Sequence, residues 1–380
     1  MATTAISATT SYPSATTPTG MTKSGTQFFL TGANNISVNN GANITAERTI
    51  FEINANSNLF TFPANSTGVV RLGLCENETK ARAGTERPIV REGCMIIHTG
   101  GGTPSIIAGN NTGNATAEFA MYGGEFRSNS NGDIRSYNNT RVVLLGVDVS
   151  NVELWSVPHA ILVGCFFHDS DWVLSDVGSS SLVWGFNTAK RVVNMYLVVG
   201  AANYTFQESD TEITTTGSQF VTQGYTGTAD WVNCIFRSLG TDPYKIGGYG
   251  TDSMAGLWRH RRTVDVKLSK AGVSLANAKT RIVGADTSII TGDKIQTLTY
   301  RSIDKRGAST ASANLVWDNT PNYTLLAREL TCMEETKTLA LADGNGNVVV
   351  NFYLNADNYY TNNESDNLSQ VTITSVSGAI

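Results

Sequence analysis

Gly124-Glu125-Phe126, Gly146-Val147-Asp148-Val149, Gly164-Cys165-Phe166-Phe167, Gly185-Phe186-Asn187, Gly217-Ser218-Gln219-Phe220 and Asn233-Cys234-Ile235-Phe236 follow one another between Ala117 and Phe236. Each is a short apolar burst entered through a small turn residue. From Gly124 to Gly146, Gly164 and Gly185 the steps are 22, 18 and 21 residues, and the next, to Gly217, is 32. One strand-like burst in every ~20 residues is the pattern of a solenoid whose turns stack on one another. A single turn has no means of burying its own apolar face, so a core forms only between neighbours. The spacing therefore predicts a parallel β-helix, with the long step holding an inserted loop. Phe126, Val147, Phe166, Phe186, Phe220 and Phe236 fall at comparable places in successive turns and are expected to stack inside the column. With turns ~4.8 Å apart, about ten of them make a rod on the order of 50 Å long.

The same grammar reaches back to Gln27. Phe28-Phe29-Leu30, Ile36-Ser37-Val38, Ile50-Phe51-Glu52-Ile53, Leu59-Phe60-Thr61-Phe62 and Val69-Val70-Arg71-Leu72 are further bursts. Alternation at Phe51/Ile53 and Phe60/Phe62 marks strands with one face inward. Asn34-Asn35, Asn39-Asn40-Gly41 and Asn54-Ala55-Asn56 punctuate them, residues that tolerate left-handed backbone and bond their own chain. The column is thus expected over residues 26–256. Before it, residues 1–25 are rich in Thr, Ser and Ala. So little apolar surface does not offset the entropy of ordering, and the segment reads as a flexible arm, either free or ordered against a partner. Thr79 to Glu92 is the most charged stretch and reads as an exposed loop. Leu239 to Gly256 is a Gly-rich connector. Trp258-Arg259-His260-Arg261-Arg262 after it is either a hinge with solvated arginines or a docking patch for an anionic partner.

From Thr263 the bursts lengthen into alternating strands: Val264-Asp265-Val266-Lys267-Leu268, Thr280-Arg281-Ile282-Val283, Leu298-Thr299-Tyr300, Val348-Val349-Val350-Asn351-Phe352 and Val371-Thr372-Ile373. Regular strands between turn signals predict a β-sandwich over 257–380. Gly272-Val273-Ser274-Leu275-Ala276-Asn277-Ala278 resembles the opening turn of transthyretin-like or carboxypeptidase-regulatory-like domains, and Asp343-Gly344-Asn345-Gly346-Asn347-Val348 resembles their hairpin.

Composition narrows the function. Charged residues make up 16% of the chain, against about a quarter in an ordinary globular protein. Polarity is carried by Asn, Thr, Ser and Gly instead. The net charge of −5 comes with scattered basic residues, not the dense Lys/Arg face of a nucleic-acid binder. The longest apolar run, Ala160 to Phe167, is too short to span a bilayer. Met1 to Gly20 has neither the basic start nor the apolar core of a secretory signal, so synthesis in the cytoplasm is expected. Cys75, Cys94, Cys165, Cys234 and Cys332 are spaced too widely for a zinc motif and read as reduced thiols, those inside bursts as small buried apolar residues. Asn-x-Ser/Thr triplets abound, as Asn/Thr-rich composition makes them.

Few motifs carry chemistry. Gly100-Gly101-Gly102 lacks the lysine and following helix of a phosphate loop. Asp343, Asn345 and Asn347 begin a calcium-loop pattern, but Val348 stands where Gly is needed and Leu354 where Glu is needed. No metal or cofactor is expected. The polar cluster with most promise is Phe167-His168-Asp169-Ser170-Asp171-Trp172, followed by Asp176. On a strand, Asp169 and Asp171 point the same way about 7 Å apart, within the carboxyl separation of a glycosidase. Adjacent turns would bring Glu153, Asp148 or Glu208 beside them. Trp155, Trp172 and Trp184 are the candidates for stacking on sugar rings. Against catalysis, solenoid turns end readily in Asp, and tryptophans fill cores.

The Gly- and Asn-punctuated bursts of the first two thirds resemble the right-handed parallel β-helix family shared by pectate lyases and phage tailspikes. With a terminal β-sandwich, the whole is similar to the β-helix virion proteins of tailed bacteriophages. That resemblance implies an all-β chain, a right-handed parallel β-helix followed by a β-sandwich, forming a homotrimer on the particle. It implies attachment to other virion proteins through the N-terminal arm or the C-terminal domain, and a face for host surface polysaccharide. An adhesive or structural role is the first expectation; a glycosidase or lyase with Asp169, Asp171 and Asp176 as candidate catalytic residues is the alternative.

Overall fold

The structure is a computed structural model of the chain. It describes residues 3–18, 21–30, 35–53, 59–100, 105–108, 117–136, 140–155, 159–177, 181–199, 203–223, 225–240, 246–248, 256–284, 287–304, 318–319, 322–330 and 332–355. The chain is all-β: the described residues form 36 strands and a single five-residue helix, Glu78–Arg82. No helix among them is long and apolar enough to cross a membrane. Contacts divide the chain into two units. The first comprises Met1–Asp230, Cys234–Trp258 and Ile303–Val316, the second Trp231–Asn233, Arg259–Ser302 and Trp317–Ile380.

Two long sheets build the first unit. Sheet I contains, in spatial order, Gln27–Leu30, Ile50–Ile53, Cys94–His98, Gly124–Ser136, Asp148–Trp155, Phe166–His168, Thr188–Val199, Asp210–Gln223 and Ile235–Ser238, with Trp172–Val177 between the Asp148 and Thr188 strands. Sheet II contains Thr10–Tyr12, Asn43–Ala46, Val69–Leu72, Glu118–Tyr122, Arg141–Leu145, His159–Val163, Leu182–Gly185, Tyr204–Gln207 and Thr228–Val232. From Glu118 onward the chain alternates between the sheets, and successive members pair in parallel as far as Tyr204–Gln207 in sheet II and Ile235–Ser238 in sheet I. Parallel pairing requires the chain to come back to the same side before adding a strand, hence the repeated bursts.

A left-handed residue ends the sheet II strands. Gly73, Gly123, Gly146 and Gly164 hold φ of +84°, +64°, +66° and +67°, and Phe186, Glu208 and Asn233 take φ of +50° to +58° at the equivalent corners. Glycine is needed where backbones also crowd: a Cβ on Gly124 (φ +79°) would lie 1.9 Å from the Cys94 carbonyl oxygen. At five of these corners the next residue, Val147, Cys165, Asn187, Ser209 or Cys234, is buried. Asn187, buried there, accepts from the Cys165 N–H at 2.8 Å and donates to the Leu162 carbonyl at 2.8 Å, so a polar side chain in the core is satisfied at both ends.

The interior column is offset from the expected one. In register, Phe28, Phe51, Ile96, Phe126, Val149, Phe167, Ala189, Thr211 and Phe236 lie on successive strands of sheet I, and all are buried. Phe126 and Phe236 keep their expected places, while Val147 is buried one step before its strand begins. Phe166 points outward and stacks on His168, ring centroids 4.7 Å apart. Phe186 sits in a left-handed corner with the Arg87 guanidinium 5.3 Å from its ring. Side chains alternate along a strand, so one residue of slip exchanges inside for outside. The side chain of Phe220 lies outside the described residues.

Two segments expected to be loose are packed. Within residues 1–25, Thr3–Ile6 pairs in parallel with Asn35–Val38, Thr10–Tyr12 pairs with Asn43–Ala46, and Met21–Ser24 forms a hairpin with Gln27–Leu30. Composition misled because the ladder of the next strands supplies the hydrogen bonds, and one aromatic supplies the anchor. Tyr12 is 3% exposed, edge-on to Phe28 at 5.2 Å and Phe51 at 6.0 Å. The charged stretch after Thr79 is likewise a cover rather than an exposed loop. Ala81 packs with Ala120, Tyr122, Val143, Leu145 and Val163 on the outer face of sheet II. Arg82 donates to both carboxylate oxygens of Glu118 (2.9 and 2.7 Å) and to the Tyr122 hydroxyl (2.7 Å), which donates to Glu78 at 2.7 Å.

In the second unit one sheet contains Leu257–Lys270, paired in parallel with Val348–Tyr353 and neighboured by Lys294–Asp304. The other contains Ser288–Thr291, Lys279–Val283, Tyr323–Arg328 and Glu335–Leu339, antiparallel throughout. Val264, Val266, Leu268, Val350 and Phe352 of the first meet Ile282, Ile290, Tyr323 and Leu325 of the second in one core. Trp258–Arg262 lies within the Leu257–Lys270 strand. Arg262, 7% exposed, donates to the carbonyls of Ala342 (3.1 Å) and Gly346 (3.2 Å), so it holds the 342–346 turn. Much of the Gly-rich connector, and Val371-Thr372-Ile373, lie outside the described residues.

Candidate functional site

After an irregularity between Arg127 and Gly132, the strands Gly124–Ser136 and Asp148–Trp155 resume register with Asp133 beside Glu153 and Arg135 beside Trp155. Ile134 and Leu154, between these pairs, are fully buried. Alternation therefore puts Asp133, Arg135, Glu153 and Trp155 together on the opposite face of the sheet, with neighbouring strands ~4.8 Å apart. Asp133 and Glu153 are only 3% and 8% exposed. Asp133 accepts from Arg135 Nε at 2.8 Å and also from Nη2. The same guanidinium lies 5.8 Å from the ring of Trp155, which is exposed. Asp171, in the bend just before the Trp172–Val177 strand, accepts from Asn131 Nδ2 at 2.8 Å.

These surroundings tune the carboxyls. Burial first, then the negative charges of Asp133 and Asp171, push Glu153 up to about 7, against the Trp172 backbone N–H and Arg135. Burial also raises Asp133, opposed by its Arg135 hydrogen bond. A glutamic acid near half protonation at neutral pH beside a second carboxyl is the equipment of general acid–base catalysis. Among the described residues no group of three or more His, Cys, Asp and Glu is arranged to hold a metal ion.

The residues singled out by sequence fare unequally. Asp169 is not on a strand: with φ +57° it turns the corner between Phe166–His168 and Trp172–Val177, so the alternation that would align it with Asp171 is broken. Its carboxylate accepts from Arg191 Nε at 2.6 Å and Nη2 at 2.7 Å, and lies 2.6 Å from His168 Nδ1. Those partners, Arg191 first, hold it well below the usual carboxylate range, unfit to give up a proton near neutrality. Asp148 is drawn to His168 Nε2 at 2.9 Å, and Glu208 occupies a corner. Asp176 has its side chain outside the described residues. Of the tryptophans, Trp155 is available to solvent and Trp172 is half-buried. Trp184 is core, stacked on Phe167 at 5.5 Å with Nε1 donating to Ser209 at 2.9 Å, and has no face to offer a sugar.

Asp133 was missed, though a signal exists. Asp133-Ile134-Arg135 and Glu153-Leu154-Trp155 have the same acid–apolar–planar order 20 residues apart, close to the repeat. Comparison with protein-family models, with curated proteins and with solved structures finds no match.

Proposed function

We propose that this chain is a structural and adhesive virion protein of a tailed phage, built as a right-handed parallel β-helix with a two-sheet β-sandwich, that contacts the host surface as a homotrimer. The observation that carries the reading is the alternation of the chain between two parallel sheets held in register over many strands. Such a column is stiff, is extended by adding turns, and presents long faces of outward side chains. The low charge content and Asn/Thr-rich surface suit contact with polyhydroxylated glycans. Light scattering on the purified chain tests the assembly, with three chains per particle expected. A panel of host capsules and lipopolysaccharides tests adhesion, with saturable binding expected to at least one. A monomer that binds none of them overturns the reading.

One observation favours a second reading, glycan cleavage: Glu153 and Asp133 form a buried carboxyl pair next to exposed Trp155. If the panel reveals cleavage, Glu153→Gln is expected to reduce it by roughly 10²–10⁴-fold and Asp169→Asn to leave it within about twofold. Full activity in Glu153→Gln sinks the assignment of the acid.

A further inference from the structure

In the second unit the Val348–Tyr353 strand is paired on one side only among the described residues, by Leu257–Lys270. The Leu354 N–H bonds the Ser269 carbonyl at 2.8 Å, so the residues of even number aim their backbone groups at that neighbour. Val349, Asn351 and Tyr353 then aim theirs at the open edge. Open edges of this kind template pairing with another chain. Here the edge is occupied by side chains from the Glu335–Leu339 strand. Glu335 Oε2 accepts from the Tyr353 N–H at 2.9 Å, and Lys337 Nζ donates to the Asn351 carbonyl at 2.5 Å. The two are joined by an ion pair of 3.2 Å. Lys337 Nζ also lies 5.3 Å from the Phe352 ring centroid and 6.0 Å from that of Tyr353, which keeps its stem along the edge.

What the clasp covers is self-complementary. An antiparallel pairing of this strand with its own copy, centred on Asn351, sets Val349 opposite Tyr353 twice. Both are conspicuously exposed, at 55% and 64%, and an aromatic facing a β-branched residue is a favourable cross-strand pair. A symmetric contact of this sort closes on itself as a dimer. We propose that Glu335 and Lys337 are a clasp that blocks strand addition at this edge, and that the strand the edge accepts once unclasped is the same strand of a second copy.

The test is the full chain carrying Glu335→Ala and Lys337→Ala, compared with the unaltered chain by light scattering over a wide concentration range and by hydrogen exchange. The variant's mass is expected to double relative to the parent species as concentration rises, with the Val349 and Asn351 amides becoming protected in step. Adding Val349→Lys, which sets a charge against Tyr353 of the second copy, is expected to return the parent mass. If the double variant loses its thermal transition, Lys337→Ala alone is used: it frees the Asn351 carbonyl at the centre of the pairing while Glu335 still holds the Tyr353 N–H, and a mass rise that sets in at higher concentration is expected. A mass unchanged at all concentrations, with the Tyr353 amide exchanging freely, overturns the proposal. So does association that survives Val349→Lys. Neither result bears on the virion reading, because both are measured relative to whatever assembly the parent chain forms.

Discussion

Glu153 illustrates how a neighbour one strand away decides what a residue can do. Its folded-state pKa of about 7 stands above the ordinary glutamate value of 4.5. A group raised in this way contributes stability that is fully present below its unfolded value and is lost as pH rises through the folded one. At ~1.4 kcal/mol per unit, the shift is worth up to ~3 kcal/mol. Thermal melts from pH 4.5 to 8 are therefore expected to show a falling midpoint, to which Asp133, raised by the same burial, adds. Glu153→Gln removes the charge that forms on the alkaline side, so its melting curve is expected to be flatter and higher than the parent's at pH 8. An unchanged pH slope in the variant places the titration elsewhere. Asp169 has the opposite sign, since its value is depressed. Its pair with Arg191 is exposed on both sides, however, and screened pairs of this kind contribute little. Asp169→Asn is expected to shift the midpoint by no more than about 1 °C. The sequence put Asp169 first and named Glu153 only as a neighbour from an adjacent turn, because local order cannot say which carboxylate will meet an arginine from the following strand.

At the scale of the strand and its corners, periodicity was readable and phase was not. The glycines at 146 and 164 mark where chain passes from sheet II to sheet I, as their positive φ shows. Gly124 is the second of two glycines at its corner, and Phe186 replaces glycine at another. Counting from the glycine therefore shifts the inward residue by one and exchanges Phe167 for Phe166. The strands themselves follow from β-branched and aromatic content, but the packed cover at Glu78–Arg82 does not. Its charges looked solvated until Glu118 and Tyr122 were brought beneath them by a fold that no local window contains. Corner glycines differ in a way that can be measured. Gly41 has φ +74° with nothing within 4 Å of a would-be Cβ, whereas Gly124 has φ +79° with the Cys94 carbonyl oxygen at 1.9 Å. Gly41→Ala should cost only the left-handed strain, ~1–2 kcal/mol. Gly124→Ala adds a backbone collision that no rotamer relieves. Urea unfolding is expected to place its midpoint well below that of Gly41→Ala. Equal midpoints would falsify the crowding at that corner.

At the scale of the long sheets, each described strand lies against the next, so the outermost strands need a neighbour of their own. The polar opening of the chain performs that task. Phe28 and Phe51 are fully buried, and Tyr12 is the aromatic that meets both edge-on. The strands Asn35–Val38 and Asn43–Ala46 have Thr3–Ile6 and Thr10–Tyr12 as their outer neighbours. A flexible arm could be removed without consequence, and composition alone predicted one. The register predicts otherwise. Deleting residues 1–24 strips Tyr12 from two phenylalanines and leaves three strands, Asn35–Val38, Asn43–Ala46 and Gln27–Leu30, each without its outer neighbour. Losing a buried aromatic typically costs ~3–5 kcal/mol, and an open, apolar-backed strand edge invites association. The truncated chain is expected to melt several degrees lower and to form concentration-dependent aggregates. Its amides in Asn35–Val38 and Asn43–Ala46 should exchange rapidly, while those of Arg141–Leu145, several strands away, keep their protection because stability in a stacked array passes only between neighbours. A truncated chain with the parent's melting point and exchange pattern would return residues 1–24 to the status of an arm.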